Sequence, residues 1–320
     1  MKIERSKYKN LKAYSIDIGN VVFKVIPEAG MKIASAIHKD SGFEFMHQNP
    51  KGLKKYKVAG YNSSFAGDGE CAGFDDMMPT IDPFWYEENT PWEGIYLPNH
   101  GEIWCQPYSV KKGADYLYGK VNGIRLPYIF TKKFYALSED VLRIEYTCEN
   151  PTQYPMEYLW AGHVMLNAEE GSKYIVPPEC NEGICMFSNN DRIGKYGDRF
   201  SFPINKAENG VTYDMTVMRS PSVASSEKYY LANKLTQDGY LGIEYPSKNL
   251  SLVLRFPIDE IPYIGIMNNE CGWDGMYQCI LEPCTAPYDR PDIAKLHKVN
   301  SVLQPNSVKK WYVDIEITKK

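Results

Sequence analysis

The sequence contains no run of lysines and arginines, and its formal net charge is -4. It therefore lacks the electrostatic footprint of a nucleic-acid-binding protein. No apolar stretch approaches the length needed to cross a bilayer. The opening MKIERSKYKN is charged, but no apolar segment follows it, so no secretory signal is expected and a cytoplasmic setting is. Eight cysteines occur, none in a CxxC pair and none at zinc-ligand spacing. No metal site is expected from them, and reduced thiols are. Helical periodicity is equally scarce, because no long segment sustains an apolar stripe at 3.6-residue spacing. Histidine is rare, with five in 320 residues, so each one merits separate consideration.

Apolar material is plentiful. Hydrophobic residues make up 43% of the chain, enough for a large core, and Tyr (25), Phe (12) and Trp (6) are well represented. Aromatic side chains suit pleated strands, and the same flat faces stack on sugars. Apolar residues recur mainly at every second position. Residues 13–25 read as two strands joined at Gly19-Asn20. Residues 141–148 place Leu142, Ile144, Tyr146 and Cys148 on one face. Residues 251–256 alternate similarly, and the last strand aligns Trp311, Val313, Ile315 and Ile317. The Asn122-Gly123 pair predicts a hairpin with a type I′ turn. Short helices are expected near 225–233 and 292–298. Many short strands separated by Gly, Pro and Asn predict an all-β sandwich or barrel. With no repeat and no clear linker, one large domain spanning 1–320 is the expected organisation.

Three polar residues stand out from their surroundings. His100 lies in LPNHGEIW, a turn-like segment. His163 lies in the apolar strand-like run YLWAGHVML. Either could be a satisfied structural histidine. Glu282 lies in MYQCILEPC, at the end of an apolar strand and before a proline expected to stop regular pairing. A carboxylate buried there would be costly and would have a raised pKa suited to a general base. A glutamate reaching water from an edge fits the pattern equally well.

Five segments carry a family resemblance through their order along the chain. They are EAGMKIASAIHKDSGFEFM (28–46), PNHGEIW (98–104), ENPTQYPMEYLWAGHVMLN (149–167), LEPC (281–284) and LQPNSVKKWYVDI (303–315). Together the chain resembles the aldose 1-epimerase (galactose mutarotase-like) family over nearly its whole length. In the last segment Asn306 stands where the family usually has glycine. The resemblance implies a β-supersandwich with its site in a cleft on the concave face of a large sheet. It implies that Glu282 is the general base, that His163 is the general acid, and that His100 orients or helps protonate the sugar. It further implies a monosaccharide or sugar derivative as substrate, with no metal or organic cofactor.

One segment departs from the family pattern. Where family members often carry an arginine, this chain has GECAGFDDMMPTIDPFW at 69–85, with Asp75, Asp76 and Asp82. The expectation is that this segment forms one wall of the cleft and that Asp75 or Asp76 faces the ligand. Aspartates capping a turn-rich loop would fit equally well. Trp85, Trp104 and Trp273 are candidate stacking platforms, and Asp274 a candidate hydroxyl ligand. Two further functions remain open. One is a non-catalytic sugar-binding or sensing protein on the same scaffold. The other is an epimerase for a phosphorylated sugar, although the segments bearing His100, His163 and Glu282 contain no Arg or Lys.

Overall fold

A computed structural model describes residues 1–51, 58–87, 89–190 and 192–319. Among the described residues, the chain is dominated by two large antiparallel sheets. The larger has eleven strands. In spatial order these are Lys2–Tyr8, Leu11–Asp17, Val21–Ile26, Lys32–His38, Phe74–Met77, Ala161–Asn167, Tyr277–Cys284, Tyr263–Glu270, Ser225–Leu231, Glu182–Ser188 and Arg199–Ser201. The second has eight strands and is centred on Leu250–Phe256, Ser307–Lys319 and Val141–Asn150.

Alternation along the strands explains the layering. In Tyr277–Cys284, Cys279 and Leu281 enter the main core, whereas Ile280 and Glu282 point the other way. Val164 and Leu166, Ile264 and Ile266, and Tyr229 and Leu231 fill the same core from the neighbouring strands. The second sheet contributes Ile144, Tyr146, Trp311, Val313 and Ile315. Tyr146 stacks on Trp311 at 5.5 Å between ring centroids. The opposite face of the large sheet is thereby left for the site.

The paired strands in 13–25, the alternation over 141–148 and the short helix Pro291–Leu296 agree with the sequence-based expectations. Three local expectations are corrected. The segment 225–233 is not helical, because Ser225–Leu231 is an interior strand paired on both sides. Its polar residues obscured that. Glu227 is fully buried against Arg192, whose Nε lies 2.9 Å from Glu227 Oε2. Asn122-Gly123 does not make a two-residue turn, since the strands Leu117–Asn122 and Ile129–Ala136 are joined by residues 123–128. That loop folds onto the buried Glu102 carboxylate, which accepts hydrogen bonds from the backbone N–H groups of Ile124 and Arg125. Pro283 does not end its strand, for it stays opposite Ile264. Its missing N–H falls on the Ala161–Asn167 side, where the paired residues skip from Val164↔Leu281 to Ala161↔Cys284.

Candidate functional site

The strand register builds the site. The pairing between Ala161–Asn167 and Tyr277–Cys284 has the same offset on both sides of the Pro283 interruption, which places His163 opposite Glu282. On one side His163 is paired with Asp75, and Asp75 lies against Lys32. On the other side Glu282 is paired with Gly265, and Gly265 with Tyr230. A lateral row thus crosses six strands on the face away from the main core: Lys32, Asp75, His163, Glu282, Gly265 and Tyr230.

Gly265 makes room in this row. A Cβ there would lie 2.7 Å from Glu282 Oε2 and 3.0 Å from a Tyr230 ring carbon. Its absence allows the Glu282 carboxylate to lie over the neighbouring strand, toward Lys228. Lys228 Nζ is 3.5 Å from Glu282 Oε2 and 2.7 Å from Asp289 Oδ1, and the Tyr230 hydroxyl donates to the same Asp289 oxygen at 2.8 Å. On the other side, Glu282 Oε1 lies 3.9 Å from His163 Nε2.

His100 arrives from a loop. It adopts a left-handed conformation (φ 60°) beside Gly101 (φ 72°). Its N–H donates to Ile81 O at 2.6 Å, and Glu102 N–H donates to Met78 O at 2.7 Å. These bonds pin the tight loop against residues 78–81 and bring the His100 ring 4.9 Å from that of His163. Phe65 packs on both imidazoles, at 4.1 Å from His100 and 4.9 Å from His163. Its own N–H is held by the Asn99 side chain.

His100, His163 and Glu282 all face one cavity of about 350 Å³, together with Lys228 and Asp289. Phe65, Phe187, Trp273, Met165 and Met267 provide apolar surface in the same cavity, a combination of apolar walls and convergent polar groups typical of small-molecule sites. The electrostatics follow from burial. Glu282 is 1% exposed. Burial pushes its carboxyl up to about 7, against the pull of the Lys228 ammonium and with the Asp289 carboxylate adding to the rise. Burial also holds both imidazoles well below their ordinary pKa, and the lysine charges nearby act in the same direction. Both rings are therefore neutral near pH 7. Burial opposes the charge on Lys228, but the Asp289 and Glu282 carboxylates outweigh it and hold its pKa above the ordinary lysine value.

The other sequence candidates are distributed differently. Trp273 lines the cavity. Trp104 is buried behind it, edge-on to Phe65 at 5.1 Å, and donates its indole N–H to Asn99 O. It buttresses the wall instead of offering a stacking surface. Trp85 lies elsewhere, 65% exposed and packed on Tyr96. Asp274 sits in a solvent-exposed turn and pairs with Lys51 at 2.6 Å. From segment 69–85, Cys71, Ile81 and Asp82 reach the cavity, but Asp75 and Asp76 do not. Both aspartates are buried ion-pair partners. Asp75 binds Lys32 at 3.0 Å, and Phe65 lies over that lysine, 5.9 Å from its Nζ. Asp76 points into the core between the sheets, where it meets Lys132 at 2.5 Å and accepts the Trp160 indole N–H.

Lys228 and Asp289 were not anticipated from the sequence. A lysine between Glu227 and Tyr229 on an interior strand must have buried partners, but the pattern of 225–231 does not mark it as such a strand. Asp289 follows the Glu282 strand in TAPYDR, and nothing in that pattern distinguishes it from a turn aspartate. No group of acidic, histidine or cysteine side chains among the described residues is arranged to hold a metal ion, and the eight cysteines are free thiols. No helix among the described residues is long and apolar enough to cross a membrane.

No protein-family model matches the sequence, and no curated protein matches it significantly. Solved structures do match in three dimensions. A galactose mutarotase-like protein from Clostridium acetobutylicum superposes with a TM-score of 0.68 at 15% identity, covering 100% of this chain and 99% of its own. A candidate aldose 1-epimerase from Klebsiella pneumoniae gives 0.73 at 14% identity, with 99% and 83% covered. An aldose epimerase homologue from C. elegans gives 0.61 at 11% identity, with 96% and 99% covered. At such identities it is the architecture that is shared, and this chain has the galactose mutarotase-like fold common to these aldose 1-epimerase-related structures.

Proposed function

We propose that this chain is an aldose mutarotase, an isomerase that interconverts the anomers of a sugar by opening and reclosing its ring. The observation that carries this reading is the placement of Glu282 Oε1 3.9 Å from His163 Nε2 within one partly apolar cavity. Ring opening needs a base for the proton of the anomeric hydroxyl and an acid for the ring oxygen, both touching one sugar ring. Glu282 as carboxylate takes the hydroxyl proton, and His163 as imidazolium protonates the ring oxygen. The C1–O5 bond breaks and the C1 carbonyl forms. One proton has entered the substrate and one has left it. Glu282 is now protonated and His163 neutral, the distribution that burial favours in the free site. After the aldehyde rotates, Glu282 returns a proton to O1 and His163 takes one from O5, which closes the ring on the opposite face. His100, 4.9 Å from His163, bounds the same space and contacts the sugar. Trp273 and Phe187 offer apolar faces to the ring carbons.

Charge favours a neutral sugar over a phosphorylated one. Lys228 is already matched by Asp289 and Glu282, and Asp82 adds another acid at the cavity. The test is relaxation of optical rotation after a single anomer is dissolved, measured across a panel of neutral aldoses and sugar phosphates. Acceleration of at least one neutral aldose is expected. Binding without acceleration of any sugar would replace this reading with that of a sugar-binding protein.

A further inference from the structure

We propose that Lys228 is a positioning residue that favours the ionised form of the Glu282 carboxyl, the form that abstracts the proton. This rests on the mutarotase reading above but is carried by its own geometry. Lys228 is on Ser225–Leu231, two strands away from Glu282, with Tyr263–Glu270 between them. A side chain on the intervening strand would ordinarily separate such residues. Gly265 removes it, and Lys228 Nζ reaches to 3.5 Å from Glu282 Oε2 while bonded to Asp289 at 2.7 Å. Lys228 is only 14% exposed at its side chain, so its charge is poorly screened by water.

The ion pair with Asp289 would by itself satisfy a buried lysine. Contact with a second carboxylate is what needs explanation. The groups facing Glu282 from each packed element are His163 on Ala161–Asn167, Lys228 and Tyr230 on Ser225–Leu231, Cys284 on its own strand, and Asp289 and Asp82 in the flanking loops. His163 is neutral, Tyr230 and Cys284 are protonated, and the two aspartates oppose ionisation of Glu282. Lys228 is the cation in this set. Without it, burial and the two aspartates would act unopposed, and a protonated Glu282 cannot abstract a proton. With it, the carboxyl sits near 7, the range in which a group can both take and return a proton at neutral pH.

The experiment is a carbon-13 NMR titration of the Glu282 carboxyl in the sugar-free protein, with the resonance assigned by its absence from E282Q. The unmodified protein, K228M, K228R and D289N are compared, and kcat/KM is followed against pH in parallel. K228M should raise the midpoint by about one pH unit or more, roughly tenfold less carboxylate below the midpoint. The acidic limb of kcat/KM should move with it. K228R should restore the midpoint, and D289N should lower it by removing an opposing charge. If K228M does not fold, K228Q, which keeps a polar end toward Asp289, carries the test by the same upward shift. An unmoved or lowered midpoint in K228M, or in K228Q where K228M does not fold, overturns the proposal whatever the activity. A wild-type protein that accelerates no sugar but shows these shifts removes the mutarotase reading and leaves the electrostatic role of Lys228 standing.

Discussion

Glu282 and His163 stand opposite each other on neighbouring antiparallel strands, with Oε1 3.9 Å from Nε2. Neither group carries its ordinary pKa, and burial is the first cause for both. The carboxyl rises and the imidazole falls, so a proton shared by the pair rests mainly on Glu282, the residue proposed to begin as the base. In the proposed mechanism, a proton must pass from Glu282 to His163 to ready the resting site for ring opening.

His163→Asn removes the proposed proton donor to the ring oxygen. The expected result is a fall in kcat of about 10²–10⁴ with a much smaller change in sugar affinity. Mutarotation kinetics combined with calorimetric binding would separate the two. A rate within a fewfold of the unmodified protein would assign the acid role to another residue.

Gly265→Ala places a methyl group 2.7 Å from Glu282 Oε2. The carboxylate must move, and the sheet has little room to accommodate it. The expected cost is roughly 1–3 kcal/mol of stability together with a clear loss of kcat/KM. Denaturant titration and rate measurements check both. Full activity in this variant would show that the placement of Glu282 does not depend on that gap.

Glu282 also links stability to pH. Its ordinary value is 4.5 and its folded value about 7, so the folded state holds the proton more tightly than the unfolded one. Stability from this group is present below 4.5 and is lost as pH rises through 7. Glu282→Gln has no such titration. The variant should gain on the unmodified protein between pH 4.5 and 7, by on the order of 3 kcal/mol at the upper end. His100 and His163 cost stability as pH falls below 6.5 in both proteins, and to first order they cancel in the difference. Chemical denaturation at several pH values measures it, and a difference that does not change with pH would contradict the burial of Glu282.

The large features were legible in the sequence because one-sided burial leaves a clear record. Val141–Asn150 alternates strictly and packs one face on the core. Asn306 adopts φ 50°, a conformation glycine takes readily, at the place where the resemblance expects glycine. What was missed depends on distant partners. By pattern, Asp75 and Asp76 fit a sugar contact or a capped turn equally well, because their ion-pair partners, Lys32 and Lys132, lie far away in the chain. Lys228 was hidden because Ser225–Leu231 is buried on both faces, which erases period-two alternation.

The Asp76–Lys132 ion pair can be tested directly. Asp76→Asn would leave Lys132 as a buried cation without its counter-charge, at an expected cost of about 3–5 kcal/mol. Because Asp76 lies outside the cavity, KM for the sugar should not change in protein that remains folded. A raised KM with undiminished stability would restore Asp76 as a substrate contact.

Glu282 is proposed as the base that abstracts the anomeric proton. The most direct measurement is the relaxation rate of optical rotation for a freshly dissolved anomer, with the unmodified protein and with Glu282→Gln. The amide keeps the shape and some of the hydrogen bonding but cannot accept the proton. The account predicts a loss of about 10²–10⁴ in rate, with sugar binding largely retained. Unchanged turnover in the Glu282→Gln protein would contradict it.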